Sequence, residues 1–230
     1  MDKEEPACKG IELANLGRFE EALREFEKAI ELQPDNVDAW NNKGNILFEL
    51  RCYEETVRAY DKAIELQPDF TMALYNKGRA LTELKFFEDA IQSYDKVIEI
   101  QPDFSWALYN KGNVLVELKR YEDAITSYDK VIELQPDMVA AWYNKGRALA
   151  EFKRIEEAIK AYDKVIELQP EMAAAWFYNA CLYSIKNNKE KSLEYLSKAL
   201  KLDIGLKESA KLDGDFKSLW QDPDFQKLVD

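Results

Sequence analysis

The sequence predicts an all-α solenoid of stacked antiparallel helix pairs. Prolines at 34, 68, 102, 136 and 170 stand 34 residues apart, and glycines at 10, 44, 78, 112 and 146 share that spacing. A repeat of this length is one supersecondary unit that cannot bury its apolar face alone, so successive copies must stack. Within each copy apolar residues recur at steps of three and four, whereas a strand would alternate with period two.

Residues 71–104 serve as the type unit, and each half of it predicts one helix. The apolar stripe of the first helix consists of Ala73, Leu74, Gly78, Leu81 and Leu84. That of the second consists of Phe87, Ala90, Ile91, Tyr94, Val97 and Ile98. Pro68 and Pro102 cannot continue a helix, and Asp69 and Asp103 are the residues we expect to cap the helices that follow.

The ends of the chain depart from this pattern. The predicted units are 3–36, 37–70, 71–104, 105–138, 139–172 and 173–204, with a capping segment over 205–230. The first helix is expected to start at Pro6, because proline suits the first helical position. In the sixth unit Ala180 replaces the glycine and Ile204 replaces the proline. Asp222 and Pro223 fit the start of a last short helix. The apolar residues expected to cover the exposed end of the stack are Phe216, Leu219, Trp220, Phe225 and Leu228.

The composition argues against several classes of partner, metal site and catalysis. A formal net charge of −12 argues against nucleic acid and anionic membrane as partners, since such binders present a basic face. Three cysteines without a CxxC spacing predict neither a zinc site nor a disulfide framework, and no cofactor is expected. The chain contains no histidine, so Ser-His-Asp and Cys-His catalysis are excluded within it. The longest apolar run is Met172 to Tyr178, and we expect a soluble, cytoplasmic, non-enzymatic protein.

The repeat resembles the tetratricopeptide repeats, whose 34-residue helix pairs place bulky, small and aromatic residues and a proline at fixed positions. In the second unit these positions hold Trp40, Gly44, Leu47, Tyr53, Thr56, Tyr60, Ala63 and Pro68, and only Thr56 departs from the expected alanine. The resemblance covers nearly the whole chain. It implies a right-handed superhelix whose first helices line a concave groove. It also implies that the protein binds a protein or peptide partner there.

Groove-facing positions form rows across the units. One row alternates asparagine with arginine, a second is all asparagine, and a third is mostly tyrosine. Amides bond peptide backbone, arginine binds carboxylates bidentately, and tyrosine adds flat area with a polar tip. These rows favour an extended peptide with an acidic or C-terminal carboxylate. The predicted contact residues, which include the unusual Trp106, are Asn42, Asn45, Tyr75, Asn76, Arg79, Trp106, Tyr109, Asn110, Asn113, Tyr143, Asn144 and Arg147.

Several alternatives stay open at this point. A family subtype, the carboxylate clamp, uses lysine, asparagine and arginine from consecutive units. Arg79, Asn110 and Arg147 stand at comparable positions here, but tyrosine replaces the clamp lysine at 75 and 143. The arginines could instead pair with the glutamates four residues on, the asparagines could fix loops or backbone, and the tyrosines could be core.

Two further features have structural interpretations. The lysines before each glycine, at 43, 77, 111 and 145, are expected to lie along the helix pair with the charge reaching water or a carboxylate. The glycines are expected to permit close packing of the helices.

A monomer is expected. The second hypothesis is an assembly scaffold that self-associates through its convex face or its ends, supported by Phe86, Phe87 and the aromatic C-terminal segment.

Overall fold

The computed structural model describes residues 4–230, all of whose regular structure is helical, which confirms the all-α prediction. Consecutive helices form antiparallel pairs. The chain divides into two compact units, which meet at residues 118 and 119. The predicted first repeat begins at residue 3, which lies outside the described residues. Over residues 4–230, no helix is long and apolar enough to cross a bilayer.

The first unit contains seven helices within residues 4–118. They are α1 (Glu5–Asn15), α2 (Phe19–Leu32), α3 (Val37–Glu49), α4 (Tyr53–Leu66), α5 (Thr71–Glu83), α6 (Phe87–Ile100) and α7 (Ser105–Glu117). The start of α1 lies one residue before the predicted Pro6, which occupies its first turn.

The second unit contains seven α-helices and a 3-10 helix within residues 119–230. They are α8 (Tyr121–Leu134), α9 (Val139–Glu151), α10 (Ile155–Leu168), α11 (Ala173–Ile185), α12 (Lys189–Leu202), α13 (Leu206–Leu212), the 3-10 helix (Gly214–Leu219) and α14 (Pro223–Val229).

Each turn from a first helix to a second one passes through a residue in the left-handed region. Gly17 has φ 72°, and Lys85, at the equivalent position two repeats later, has φ 62°. The amide of Lys85 donates to Thr82 O and that of Phe86 to Leu81 O, which is the hydrogen-bond pattern of a Schellman motif. This motif ends α5 and reverses the chain, although lysine lacks the freedom of glycine there.

The repeated glycine makes room for an aromatic ring of the following helix. A Cβ built on Gly78 would lie 2.6 Å from Cε1 of Tyr94, and one built on Gly44 would lie 2.6 Å from Cε1 of Tyr60. Both rings are almost completely buried. The close approach is therefore between the backbone of one helix and a ring 16 residues later, which refines the predicted helix-to-helix contact.

The lysines at 77, 111 and 145, each just before a repeated glycine, bind an acidic residue of the preceding helix. In the first unit Lys77 Nζ lies 2.6 Å from Asp61 and Lys111 Nζ lies 2.6 Å from Asp95. In the second unit Lys145 Nζ lies 2.5 Å from Asp129. The stems are mostly covered while the carboxylates are about half exposed, which confirms that the charge reaches a carboxylate. These pairs join consecutive repeats.

The predicted caps Asp69 and Asp103 are wrong. Phe70 and Phe104 occupy the N-cap positions of α5 and α7, and neither forms a side-chain cap. On the preceding first helix, α3, a side-chain cap does form, because Asn36 Oδ1 accepts from Ala39 N at 2.9 Å. An aspartate one residue too early cannot reach the amides of the first turn.

The C-terminal segment packs against α11 and α12. Phe216, Leu219 and Phe225 are buried in a cluster with residues of α11 and α12, and Trp220 and Leu228 pack against it. Asp222 Oδ1 accepts from the amides of Asp224 and Phe225, which caps α14. Lys189 reaches Asp222 at 2.6 Å and Asp224 at 2.8 Å, so ion pairs tie this last helix to α12.

Candidate functional site

The predicted contact residues of the first unit lie on α3, α5 and α7. Because α-helical residues advance 100° each, positions spaced by three, four and seven share one face. Arg79 and Trp106 are exposed, and the remaining predicted contacts of this unit are half-buried. We call this face the inner face. It comprises Asn42, Asn45, Tyr75, Asn76, Arg79, Trp106, Tyr109, Asn110 and Asn113.

Asn45 is the centre of a hydrogen-bond network on the inner face. Its Oδ1 accepts from Tyr60 Oη at 2.7 Å and from Asn76 Nδ2 at 3.2 Å, and its Nδ2 donates to Asn42 Oδ1 at 3.4 Å. Asn45 therefore bonds side chains of its own helix, of α4 and of α5, and not the loops or backbone of the alternative. This network fixes the orientation of the amides before any ligand arrives.

Arg79 is held by neighbours other than the glutamate four residues on. Its guanidinium carbon lies 4.6 Å from the centroid of the Phe48 ring, and its Nη1 donates to Asn76 Oδ1 at 3.4 Å. Within residues 4–118 no ion pair joins it to Glu83, so that alternative is wrong here. Stacking on a ring orients the planar group and leaves donors toward solvent.

A pocket of about 140 Å³ opens between α5 and α7 on the inner face. Its lining includes three predicted contact residues, Arg79, Asn110 and Asn113, together with Thr82, Glu83 and Tyr94. Burial raises the pKa of Tyr94 to about 12, so its hydroxyl stays neutral at physiological pH. The pocket thus combines a cation, two amides, two hydroxyls and a carboxylate, which suits a peptide backbone or a terminal group.

Tyr75 both packs and hydrogen-bonds. Its ring lies 5.1 Å from Phe104 and 6.1 Å from Tyr94, and its hydroxyl accepts from Asn110 Nδ2 at 3.0 Å. Burial raises its pKa. Tyr75 therefore supports the inner face and presents only part of its ring to solvent.

Trp106 is the aromatic residue that the inner face exposes most. Its side chain is 54% exposed and contacts Tyr109 edge to face at 5.9 Å. Met72, at the same position one repeat earlier, is also exposed. Together they give the N-terminal ends of α5 and α7 an apolar surface.

In the second unit the predicted contacts Tyr143, Asn144 and Arg147 lie on α9. Tyr143 packs edge to face against Tyr162 at 5.7 Å and Tyr178 at 5.9 Å, and burial together with Tyr178 raises its pKa to about 12. Arg147 is exposed, and within residues 119–230 it forms no ion pair with Glu151 or any other carboxylate.

Sequence reasoning missed three contributors. The ring of Phe48 positions Arg79. Tyr178 stands where the earlier repeats have the asparagine of positions 42, 76, 110 and 144, and its ring stacks on Tyr162 at 5.5 Å. Tyr60 of α4 brings its hydroxyl to Asn45 on the inner face. For Tyr60 the sequence did contain a signal: the equivalent residue of the first repeat is Phe26, so position 60 adds one hydroxyl at a buried position.

One group of potential metal ligands occurs in the second unit. The ligand atoms of Cys181, Asp213 and Asp215 lie within 4.8 Å of one another. Burial and the neighbouring aspartates raise the pKa of the Cys181 thiol far above its usual range, and its Sγ donates to Asp213 Oδ2 at 3.8 Å. A thiol must lose its proton to bind a metal, so this cluster is better described as a hydrogen-bonded one.

Family models match most of the chain. Models of the tetratricopeptide repeat match residues 109–173, 154–206 and 37–70, and a further TPR repeat model matches 10–51 and 78–118. A curated relative, an uncharacterized protein of Methanocaldococcus jannaschii, is 57% identical over 35 residues. That match spans 15% of this chain and 41% of the relative.

Solved structures share the fold over a larger part of the chain. YrrB, described as a TPR protein with an unusual peptide-binding site, is 28% identical with a TM-score of 0.70, covering 78% of this chain and 92% of its own. A tetratricopeptide repeat protein from Parabacteroides merdae is 20% identical with a TM-score of 0.73. The match covers 99% of this chain and 97% of that protein. MamA from Desulfovibrio magneticus is 24% identical with a TM-score of 0.70. The match covers 74% of this chain and 96% of the MamA chain. At such identities the last two show the fold alone. Proteins with these repeats generally act in protein–protein interaction.

Proposed function

Because the chain belongs to the tetratricopeptide repeat family, we propose that it is a non-enzymatic interaction module that binds an extended peptide or protein segment on its inner face. The second unit has a separate proposed contact surface on α9, where Tyr143, Asn144 and Arg147 supply similar chemistry. Arg79 and Arg147 are the proposed ligands of an acidic side chain or a C-terminal carboxylate.

The pocket between α5 and α7 carries this proposal. Arg79, Asn110 and Asn113 were chosen from the sequence for their chemistry, and they line one polar pocket. Phe48 and Asn76 already hold the Arg79 side chain in place. Binding would therefore cost little of its conformational entropy, which favours affinity. The peptide-binding site in the description of YrrB supports the same general activity.

A binding measurement tests the proposal. A library of fluorescent peptides with free C-termini is titrated against the wild type, Arg79→Ala, Arg147→Ala and Arg58→Ala by fluorescence anisotropy. Loss of one charge-assisted hydrogen bond costs about 1.5–3 kcal/mol, so affinity should fall about tenfold or more in each inner-face variant.

Arg58→Ala is the matched control, because Arg58 is exposed on α4 and pairs with Glu55 at 2.8 Å, away from the inner face. Its affinities should equal those of the wild type. Equal affinities for all four proteins would eliminate the arginine contacts, and the absence of any bound peptide would eliminate the proposed function.

The second candidate is self-assembly, which Phe86 favours. Phe86 is 55% exposed at the turn before α6. Light scattering at rising concentration should then report association in the wild type and in Arg79→Ala, with loss of association in Phe86→Ser. A monomer at all concentrations would exclude this candidate.

A further inference from the structure

A large cavity of about 640 Å³ lies in the first unit, between α2 and α4 and above α3. It is distinct from the inner face. On α3 the lining residues Trp40, Lys43 and Leu47 point roughly opposite to Asn42 and Asn45, because each residue advances 100° around the helix. The volume lies within the range of about 300–1,000 Å³ that is typical of ligand pockets.

The walls of this outer cavity are apolar. Leu23 from α2, Trp40 and Leu47 from α3, and Ala59 from α4 contribute carbon surface. Trp40 has no free donor to offer, since its Nε1 already donates to Pro34 O at 2.9 Å. A ligand in contact with this indole therefore meets only its carbon face.

The rim of the outer cavity carries charges that are already neutralised. Lys43 pairs with Glu27 at 3.0 Å, and Arg58 pairs with Glu55 at 2.8 Å. The other two rim charges pair with residues beyond the lining, Asp61 with Lys77 and Lys62 with Glu65, both at 2.6 Å. Every charge of the lining thus has a partner within the protein.

The apolar walls favour an uncharged ligand. The lining offers a charged ligand no unpaired counter-charge, and these exposed pairs add little energy of their own. A small uncharged molecule seated beneath the rim disturbs none. It gains the burial of its apolar surface, at about 25 cal/mol per Å².

The next repeat has a smaller version of this cavity. The corresponding space between α4 and α6 measures about 250 Å³, and its lining includes Gln92 and Ser93 at the positions of Arg58 and Ala59. Leu74 stands there in place of Trp40. The larger volume and the more apolar wall are therefore properties of the first cavity and not of every repeat.

We infer that the outer cavity of α2, α3 and α4 is a binding site for a small, uncharged, apolar molecule with aromatic or branched aliphatic groups. This site is independent of peptide binding on the inner face. Trp40 provides the main contact surface.

The test uses the full chain and the uncharged fluorophore N-phenylnaphthylamine. Its fluorescence should rise saturably with one molecule bound per chain, and the indole N–H resonance of Trp40, assigned from Trp40→Phe, should shift. Ala59→Leu places a branched side chain in the cavity and should abolish saturable binding. Ala161→Leu, the same change at the same register in α10, should leave binding unchanged.

Circular dichroism establishes whether the variants fold, and Leu23→Asn provides a second change of the wall should Ala59→Leu unfold. An anilinonaphthalene sulfonate, which adds a negative charge to a similar ring system, should bind more weakly. Absence of saturable binding to the wild type would overturn the inference. So would binding that Ala59→Leu and Leu23→Asn leave intact, or tighter binding of the sulfonate.

Discussion

The contact between Gly78 and Tyr94 gives a prediction whose magnitude follows from the structure. In Gly78→Ala the new Cβ would lie 2.6 Å from Cε1 and 2.9 Å from Cδ1 of the ring. Favourable carbon contacts lie at roughly 3.5–4.0 Å, so the overlap is about 1 Å. Tyr94 is 1% exposed, and its ring has no solvent to move into.

Two effects oppose each other in this variant. Overpacking a closed core costs about 1–3 kcal/mol, and an overlap of this size with a buried ring belongs at the upper end. Alanine gains about 1 kcal/mol over glycine through helix propensity. Overpacking should win, and we expect a net loss of about 1–2 kcal/mol in the free energy of unfolding. For a chain of this length that corresponds to a fall in Tm of roughly 2–8 °C.

The sixth repeat suggests the rescue. Ala180 replaces the glycine there, and the residue 16 positions later is Leu196 instead of an aromatic. Gly78→Ala, Tyr94→Leu and the double variant are therefore compared by urea denaturation, with Gly214→Ala as the control because a Cβ there meets nothing within 4 Å. The double variant should be more stable than the sum of the single losses predicts. Additive losses, or a Gly78→Ala variant as stable as the wild type, would refute the steric argument.

Three other predictions concern the turn, the buried phenol and the amide network. Lys85→Gly should raise the free energy of unfolding by about 0.5–1 kcal/mol, because φ is 62° there, and a thermal melt with no gain would contradict this. Burial raises the pKa of Tyr94 from 10.0 to about 12, so the stability that its neutral form supplies is complete below pH 10 and is lost as the pH rises through about 12. Urea midpoints measured across that interval should fall less steeply in Tyr94→Phe. Asn45→Ala should cost about 1–3 kcal/mol in urea denaturation, since Tyr60 and Asn76 lose an acceptor, and an unchanged midpoint would contradict this.

The architecture was predictable because its determinants repeat. A glycine every 34 residues, a proline between helices and an apolar stripe at helical spacing are local signals that five copies reinforce. Lys77 was also interpreted correctly, because a lysine within an apolar stripe must extend its charge to a carboxylate or to water. The predicted caps Asp69 and Asp103 were wrong because capping depends on the exact residue at which a helix begins. The 34-residue period does not determine that residue.

The site was less predictable because its contacts cross between helices. Helical spacing placed Arg79 and Asn113 on one face, and they line one pocket. It could not show that the ring of Phe48 lies beneath Arg79, or that Asn45 accepts from Tyr60. Such partners lie 15 or more residues away in sequence, and their distances depend on how the helices pack.

The repeats separate positions that build the fold from positions that can vary. A change at Gly78 crowds the ring of Tyr94, and a change at Lys77 leaves Asp61 unpaired, so packing constrains both residues. Trp106 makes its aromatic contact within α7, with Tyr109, and the sequence places aspartate, methionine, tryptophan and alanine at this position in successive repeats. In the proposed function, a ligand on the inner face can set the chemistry of this variable position. Trp106 is therefore the first residue to substitute in mapping the specificity of the inner face.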